Sequence, residues 1–337
     1  MKRKVSIMLA GMVFALGFAV GCGKKGQAPD KEIFVYMPDG APALAMAQMM
    51  AEDTPDDGVT YKVVDASKIA SKVTYKDEAQ NADMCVMPVN LASKHLGNGE
   101  NYTMLGAVTH GNLYLISKDG AEYTAENLSS LVGKKVGVLQ INAVPGLTLK
   151  ATLNKYNIPW QELTNDGTVA EDKVNLVAIT GADAVGAVEA DCFMIAEPAA
   201  TAQSKKGYAI AGDLQALYGG ENGYTQAVLV AKNSLVKDNA AWVQSFTAKL
   251  EGGAAWLQTA SGADIVSAVS AHMEDEGTAT SLKAPLLSSA VLERCGIYFT
   301  YASACKQETN DFLSAMIAVN PAAATVPMDA FYWNYKK

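Results

Sequence analysis

The sequence has 337 residues, of which 50% are hydrophobic and 18% are charged, and its formal net charge is −8. This length and composition predict a folded protein of two domains, and they exclude a disordered chain or a single small scaffold. Nucleic acid is excluded as a partner because the negative charge repels phosphate groups and the only arginines are Arg3 and Arg294.

The N-terminus has the features of an export signal. Basic residues at 2–4 precede an apolar stretch at 5–20, which is shorter than a membrane-spanning helix needs. The segment AVGC at 19–22 resembles the lipobox of bacterial lipoproteins. This resemblance implies that residues 1–21 are removed as a lipoprotein signal peptide and that Cys22 is lipidated. The alternative is an ordinary signal peptide with an unmodified cysteine. Residues 22–31 are polar and are predicted to form a tether to the extracytoplasmic face of the cell membrane.

Beyond the tether, short apolar runs alternate with helical patterns. Strands are predicted at 33–37, 59–65, 84–87, 103–109, 113–117, 135–139, 174–179, 192–195 and 226–231. Helices are predicted at 43–50, 90–96, 124–132, 145–156, 182–189 and 198–205, and then at 239–259, 262–275, 285–294 and 303–318. The alternation predicts an α/β fold with mainly parallel sheets and a C-terminal part that is almost entirely helical.

Four cysteines follow Cys22, and their spacing does not suggest zinc. Cys85 and Cys192 lie in apolar strand-like runs, which favours reduced thiols in the core. Cys295 and Cys305 are near each other in an exported chain, so the sequence leaves open either a local disulfide or two free thiols. No metal and no cofactor are predicted.

Two segments of the chain are similar to each other. ADMCVMPVN at 82–90 and ADCFMIAEP at 190–198 each contain an Ala-Asp entry, an apolar strand and a turn with proline and a polar residue. Ligands of open α/β sheets gather at the carboxyl ends of strands, so these turns predict two sides of one cleft. The alternative is that both are ordinary strand exits with turn residues.

Several further segments support a resemblance to a known family. They are MPDGAPA at 37–43, LGAVTHGNLYL at 105–115, KKVGVLQ at 134–140, AEP at 196–198 and PMDAFY at 327–332. Together with the lipobox, the chain resembles lipid-anchored substrate-binding proteins of ABC importers, in the branch of sulfonate, nitrate and thiamine-pyrimidine-precursor binders. The resemblance implies a two-lobe type II periplasmic-binding-protein fold with the ligand cleft between the lobes. It implies one lobe from 31–114 plus 229–337 and another from 115–228, joined by two crossover strands.

Residues at and after the predicted strand ends are the candidate ligand contacts, because small polar groups interleaved with tyrosines suit a modest organic molecule. The candidates are Met37, Asp39, Asn90, Thr109, His110, Asn112, Tyr114, Gln140, Asn142, Glu197, Tyr224 and Gln226. For each, a structural role stays open: turn or cap residues for the acids and amides, a hinge hydrogen bond for the histidine, and packing between lobes for the tyrosines.

Two of these candidates lead to a hypothesis about the ligand. Asp39 and Glu197 follow strands of opposite lobes, and no basic residue lies in the same turns. We expect this pair to bind a neutral or cationic nitrogen-bearing group such as an aminopyrimidine-like heterocycle, with Tyr114 and Tyr224 stacking on its ring. Sulfonate, nitrate and phosphate are not expected, because Arg294, in the distal helical region, is the one arginine of the mature chain.

The expected function is capture of a small organic molecule and its delivery to the permease and ATPase of an ABC importer, by a monomer. The alternatives are an enzyme of vitamin or quinone-precursor metabolism on the same fold, or a surface or sensor lipoprotein. An enzyme is disfavoured because His95, His110 and His272 are scattered and no catalytic or phosphate-binding motif occurs.

Overall fold

A computed structural model describes residues 29–53, 58–164, 167–219 and 223–335. The predicted signal peptide, the lipidation site Cys22 and most of the predicted tether lie outside the described residues. Within the described ranges, no helix is both long and apolar enough to cross a membrane.

Twelve strands form the framework of the described chain. They are β1 (Ile33–Pro38), β2 (Val59–Val64), β3 (Met84–Pro88), β4 (Tyr102–Thr109), β5 (Leu113–Ser117), β6 (Lys135–Leu139), β7 (Trp160–Leu163), β8 (Val174–Ile179), β9 (Cys192–Ala196), β10 (Ala209–Asp213), β11 (Ala227–Lys232) and β12 (Ile297–Tyr301).

Eleven helices pack on these strands. They are α1 (Ala41–Leu44), α2 (Ala47–Ala51), α3 (Val89–Leu96), α4 (Val144–Lys155), α5 (Ala199–Ala202), α6 (Leu214–Gly219), α7 (Asn233–Asp238), α8 (Ala240–Thr259), α9 (Gly262–Ala271), α10 (Ser289–Arg294) and α11 (Ala302–Val319).

The strands form two six-stranded sheets, one for each lobe. The first sheet has the order β12-β4-β11-β3-β1-β2, and the second has the order β10-β5-β9-β6-β8-β7. The first lobe thus takes strands from both ends of the described chain, whereas all strands of the second lobe lie between Leu113 and Asp213. The chain passes between the lobes after β4 and again before β11. The lobe limits of 31–114 plus 229–337 and 115–228 stay a prediction.

The expectation of mainly parallel sheets was wrong, because both sheets are mixed. Strand β11 is antiparallel to β3 and β4, and β5 is antiparallel to β9 and β10. The reason is the double passage of the chain. A strand that enters a lobe from the hinge starts at the edge where the parallel strands end, so it runs in the opposite direction.

The helix predictions also need correction. Residues 124–132 contain only the 3-10 turn Leu128–Leu131, and residues 182–189 contain only the 3-10 turn Ala182–Ala184. In the second case Gly186 has a φ of 82°, a backbone conformation that a right-handed helix does not allow, so the helix cannot continue. Three strands were not predicted: β7, β10 and β12. The last interrupts the C-terminal part that was expected to be helical, although its sequence IYFTY is rich in β-branched and aromatic residues.

Apolar side chains cover both faces of each sheet. One face of the first sheet packs on α1, α2, α8, α9 and α10, and its other face shares a continuous core with the second lobe, against α4 and α11. The four cysteines are free and buried in these cores, so Cys295 and Cys305 do not form a disulfide. Burial raises the pKa of Cys295 to about 12 and that of Cys305 to about 11.

Candidate ligand-binding cleft between the lobes

The two sheets turn corresponding edges toward the hinge. In the first lobe, three residues lie side by side: Pro88 at the end of β3, Ala227 at the start of β11 and Thr109 at the end of β4. In the second lobe, Ala196 at the end of β9 pairs with Leu113 at the start of β5. The residues next to these positions in sequence therefore lie near the two chain crossings between the sheets.

At the edge of the first lobe, three side-chain oxygens and the adjacent ring Nδ1 of His110 are buried without a hydrogen-bond partner among the described residues. Asn90 Oδ1, Thr109 Oγ1 and Gln226 Oε1 are buried and accept or donate no hydrogen bond within the described chain. The backbone links their positions across neighbouring strands, since Val89 N donates to Gln226 O at 3.0 Å and Gln226 N donates to Thr109 O at 2.9 Å. A buried polar group without a partner costs about 1–3 kcal/mol, so such a cluster marks a place where another molecule can supply the bonds.

Hydrogen bonds fix which way the two amides face. Asn90 Nδ2 donates to Ala323 O at 3.2 Å, which leaves its Oδ1 as the unpartnered atom. Gln226 Nε2 donates to Asn112 Oδ1 at 3.0 Å, while Asn112 Nδ2 donates to Glu197 O at 2.9 Å. Backbone carbonyls can only accept, so Ala323 O fixes the orientation of Asn90, and Glu197 O fixes that of Gln226 through Asn112; the free atoms of both amides are therefore oxygens. They can only accept hydrogen bonds.

Glu197 does not have the environment predicted from the sequence. Its side chain is fully buried and forms an ion pair with Arg294, whose Nε lies 2.8 Å from Glu197 Oε1. Thr201 donates to the same carboxylate through its hydroxyl at 2.7 Å and its backbone N–H at 2.9 Å. The expectation that no basic residue neutralises Glu197 was therefore wrong: Arg294 ends α10 of the first lobe and reaches across to the second.

Asp39 is also engaged by the protein. Its carboxylate accepts hydrogen bonds from the hydroxyl of Thr280 and from the backbone N–H of Ser281, both in the loop that precedes α10. It thus ties this loop to the turn after β1. With Asp39 and Glu197 both engaged, the structure does not bring them together as a free acidic pair.

His110 lies at the first crossing between the lobes. Its ring stacks on Tyr298 with centroids 3.7 Å apart, and its Nε2 lies 3.2 Å from the Thr300 hydroxyl. The ring is 4% exposed, and this burial lowers the pKa of His110 to about 4. The imidazole is therefore neutral at pH 7 and acts as a packed hinge residue.

Three other candidates serve the packing of the molecule. Met37 and Tyr224 are fully buried, Met37 in the core of the first lobe and Tyr224 against Phe312 with ring centroids 4.7 Å apart. The Tyr114 hydroxyl donates to Arg294 O at 3.0 Å and thus bridges the lobes. Met37 therefore has no surface for a ligand, and the Tyr224 ring packs on Phe312 in place of the expected stack on a cleft ligand.

Gln140 and Asn142 are the candidates that remain open to solvent. Both are exposed, in the turn between β6 and α4. Gln140 has a φ of 47°, a left-handed conformation that costs most side chains about 1–2 kcal/mol. Strained residues of this kind cluster at binding sites.

Sequence reasoning missed Arg294, Thr201 and Thr280. A signal was present only for Arg294, because a single arginine in a mature chain of this size is conspicuous. Its partner Glu197 lies 97 residues away in sequence, so the pairing itself could not be predicted. Within the described ranges, no three His, Cys, Asp or Glu side chains are grouped to hold a metal ion.

Comparisons with known proteins bear on the fold. No protein-family model and no curated protein matches this chain. Among solved structures, an ABC transporter protein from Parabacteroides distasonis has a TM-score of 0.68 at 20% identity, covering 91% of this chain and 100% of that one. The periplasmic aliphatic sulphonate binding protein from Escherichia coli has a TM-score of 0.61 at 14% identity, covering 92% and 96%.

A third structure agrees with these two. The alkanesulfonate-binding protein from Xanthomonas axonopodis pv. citri, bound to MOPS, has a TM-score of 0.58 at 13% identity, covering 91% of this chain and 99% of that one. At these identities the similarity shows the fold: the chain has the two-lobe α/β fold of type II periplasmic binding proteins. The fold expected from the sequence is thereby confirmed.

Proposed function

We propose that this protein is the extracytoplasmic substrate-binding component of an ABC importer. It captures a small, neutral organic molecule between its lobes and delivers it to the permease. The observation that carries this proposal is the group of unpartnered polar atoms at Asn90, Thr109 and Gln226, two amide oxygens and one hydroxyl, buried at the strand ends of a two-lobe fold. Solved proteins of the same fold named as ABC transporter or sulfonate-binding proteins support it.

The chemistry of these atoms indicates the ligand class. The free amide oxygens of Asn90 and Gln226 accept hydrogen bonds, so they suit a molecule that presents N–H or O–H groups. Asp39 and Glu197 already have partners within the protein. The first lobe therefore recognises neutral donors, in place of the acidic pair expected from the sequence.

An anionic ligand does not fit this arrangement. Sulfonate and phosphate groups are usually held by donors, and Arg294 already pairs with Glu197. Although two of the structurally similar proteins are named for sulfonate binding, the described cleft edge of this chain presents amide oxygens. We expect taurine and nitrate not to bind; micromolar binding of either one in calorimetry would contradict this ligand class.

A thermal-shift screen of metabolites on the mature chain tests the binding function. A ligand at 100 times its dissociation constant adds about 2.7 kcal/mol to the free energy of unfolding. We expect hits among neutral molecules with several N–H or O–H donors, and we expect scattering to show a more compact protein when a hit is added. If no metabolite class raises the melting temperature, the proposed binding function is wrong.

The lipid anchor at Cys22 is a second part of the proposal. The AVGC segment that ends the apolar stretch of the signal supports it. In cells grown with labelled fatty acid, we expect the unmodified chain to be labelled and Cys22→Ala to be unlabelled and released or unprocessed. A labelled Cys22→Ala chain would contradict the anchor assignment.

A further inference from the structure

A second cavity lies at the hinge, between α11 of the first lobe and α4 and α6 of the second. Its volume is about 680 Å³, and of the twelve candidate cleft residues only Tyr224 borders it. Helix α4 begins at the cleft edge and contributes its C-terminal half, from Ala151 to Lys155, to this cavity. We call it the hinge cavity.

The walls of the hinge cavity are largely apolar and aromatic. Tyr218 and Phe312 contribute rings whose centroids are 5.1 Å apart, and small side chains at Ala151 and Ala315 leave room beside them. Aromatic and alanine walls bind an apolar body. Such a space is large enough for a small organic molecule.

The charge at one side of the cavity is negative and unneutralised. Glu308 and Asp311 of α11 both line it, and Glu308 Oε1 is buried without a hydrogen-bond partner among the described residues. Neither carboxylate forms an ion pair in the described part of the chain. Gln307 donates to Asp311 at 2.9 Å, which leaves its charge in place.

The one lysine of the cavity wall does not compensate these carboxylates. Lys155 Nζ donates instead to two backbone carbonyls, those of Tyr218 at 2.5 Å and Leu217 at 3.3 Å. Desolvation raises the pKa of Glu308, and burial followed by the Asp311 charge raises the pKa of Tyr218 to about 12. Burial is the main cause of both shifts, and the cation site is argued from the cavity and its carboxylates.

We infer that the hinge cavity is a second binding site, and that it takes an organic ammonium ion with an apolar or aromatic body. The ammonium group pairs with the carboxylate of Glu308, which lines the cavity, and is further attracted by Asp311. The apolar body lies against the rings of Tyr218 and Phe312, whose faces also attract a cation. This inference does not depend on what the cleft binds.

The position of the site gives its occupant an effect on the hinge. Because α11 belongs to one lobe and α4 and α6 to the other, rotation of the lobes changes the width of the cavity. A molecule that fits one width better shifts the balance between open and closed lobes. The cleft ligand must then change the affinity of the hinge cavity by the same factor.

Calorimetric titration of the mature chain with 2-phenylethylamine tests the site. We expect saturable binding with one molecule per chain, and no binding of 2-phenylethanol or phenylacetate, which have a similar body without the positive charge. Glu308→Gln should weaken 2-phenylethylamine binding by about tenfold or more, because it removes the charge and keeps the shape. The matched control Glu122→Gln, an exposed residue of the second lobe, should leave it unchanged.

A second variant tests the cavity independently of charge. Ala315→Trp fills the space, so it should abolish 2-phenylethylamine binding, while circular dichroism and urea unfolding check that the variant is folded. Absence of amine binding at millimolar concentration overturns the site. Binding that Ala315→Trp removes and Glu308→Gln does not would show an apolar site and overturn the ammonium assignment.

Discussion

The two edges of the cleft differ in how their polar groups are satisfied. On the first lobe, Asn90, Thr109 and Gln226 hold buried atoms without partners. On the second lobe, Gln140 is exposed and Glu197 is neutralised by an arginine from the opposite lobe. Under the proposed function, the first lobe recognises the ligand and the second lobe closes over it, while the Arg294–Glu197 pair links the two lobes beside the hinge.

The largest effect is expected from breaking this ion pair. Arg294→Ala leaves the buried carboxylate of Glu197 without its counterion, which should lower the free energy of unfolding by about 3 kcal/mol. Urea unfolding measures this loss, and scattering should show more separated lobes. Lys205→Ala, which removes an exposed positive charge of the second lobe, is the control. If both variants unfold alike, the pair does not hold the lobes together.

His110 makes the stability of the hinge dependent on pH. Its folded pKa of about 4 lies below the unfolded value of 6.5, so the unfolded chain binds the proton more readily. Stability should therefore fall as the pH is lowered from 6.5 to 4, by about 3 kcal/mol for this group. Urea unfolding of the unmodified protein and of His110→Gln at several pH values measures it.

Three charged residues, Asp213, Glu293 and Arg294, border the same small cavity as His110, which is distinct from the hinge cavity. Comparison of the unmodified protein with His110→Gln separates the histidine from these neighbours. Their contributions are common to both proteins. We expect the unmodified protein to lose more stability than His110→Gln over this range. Equal losses would show that the imidazole is not the group that titrates.

Substitutions at the two edges of the cleft should have different effects on ligand affinity. Asn90→Ala and Gln226→Ala each remove an acceptor from the first lobe, at a cost of about 1–3 kcal/mol, which weakens binding by about fivefold to 150-fold. Asn142→Ala changes an exposed amide of the second lobe and should have little effect. Calorimetry with a ligand from the thermal-shift screen measures all three. A reversed order would assign recognition to the second lobe.

The smallest effect is expected at Gln140. Gln140→Gly relieves a left-handed backbone and should raise the free energy of unfolding by about 1 kcal/mol or less, whereas Gln140→Ala keeps the strain. Thermal unfolding of the two variants measures the difference. Neither should change ligand affinity more than about twofold, a change worth less than about 0.5 kcal/mol. A tenfold loss in Gln140→Ala would show that the second lobe shares recognition.

Local patterns in the sequence predicted the α/β class but not the site. Apolar strands alternated with helices, and polar turns after β3 and β9 predicted strand ends facing one cleft, whereas the two-lobe arrangement was an expectation from the family resemblance. Strand β12 was missed because it is short and lies between helices, where the first sheet rather than its neighbours in sequence determines its conformation. The Arg294–Glu197 pair and the unpartnered acceptors depend on contacts between distant segments, which periodicity and spacing do not report.

The chain crosses between the lobes twice, after β4 and before β11, and this affects the order in which the two sheets fold. The sheet of the second lobe uses strands that are consecutive in sequence, from β5 to β10, and can form as soon as they are available. The first sheet needs β11 between β3 and β4, so it stays split until residue 227 arrives. Such distant pairings form slowly, and unpaired strand edges promote aggregation. The sheet of the first lobe is therefore the last to be completed. Its early strands need protection from aggregation while the second lobe forms.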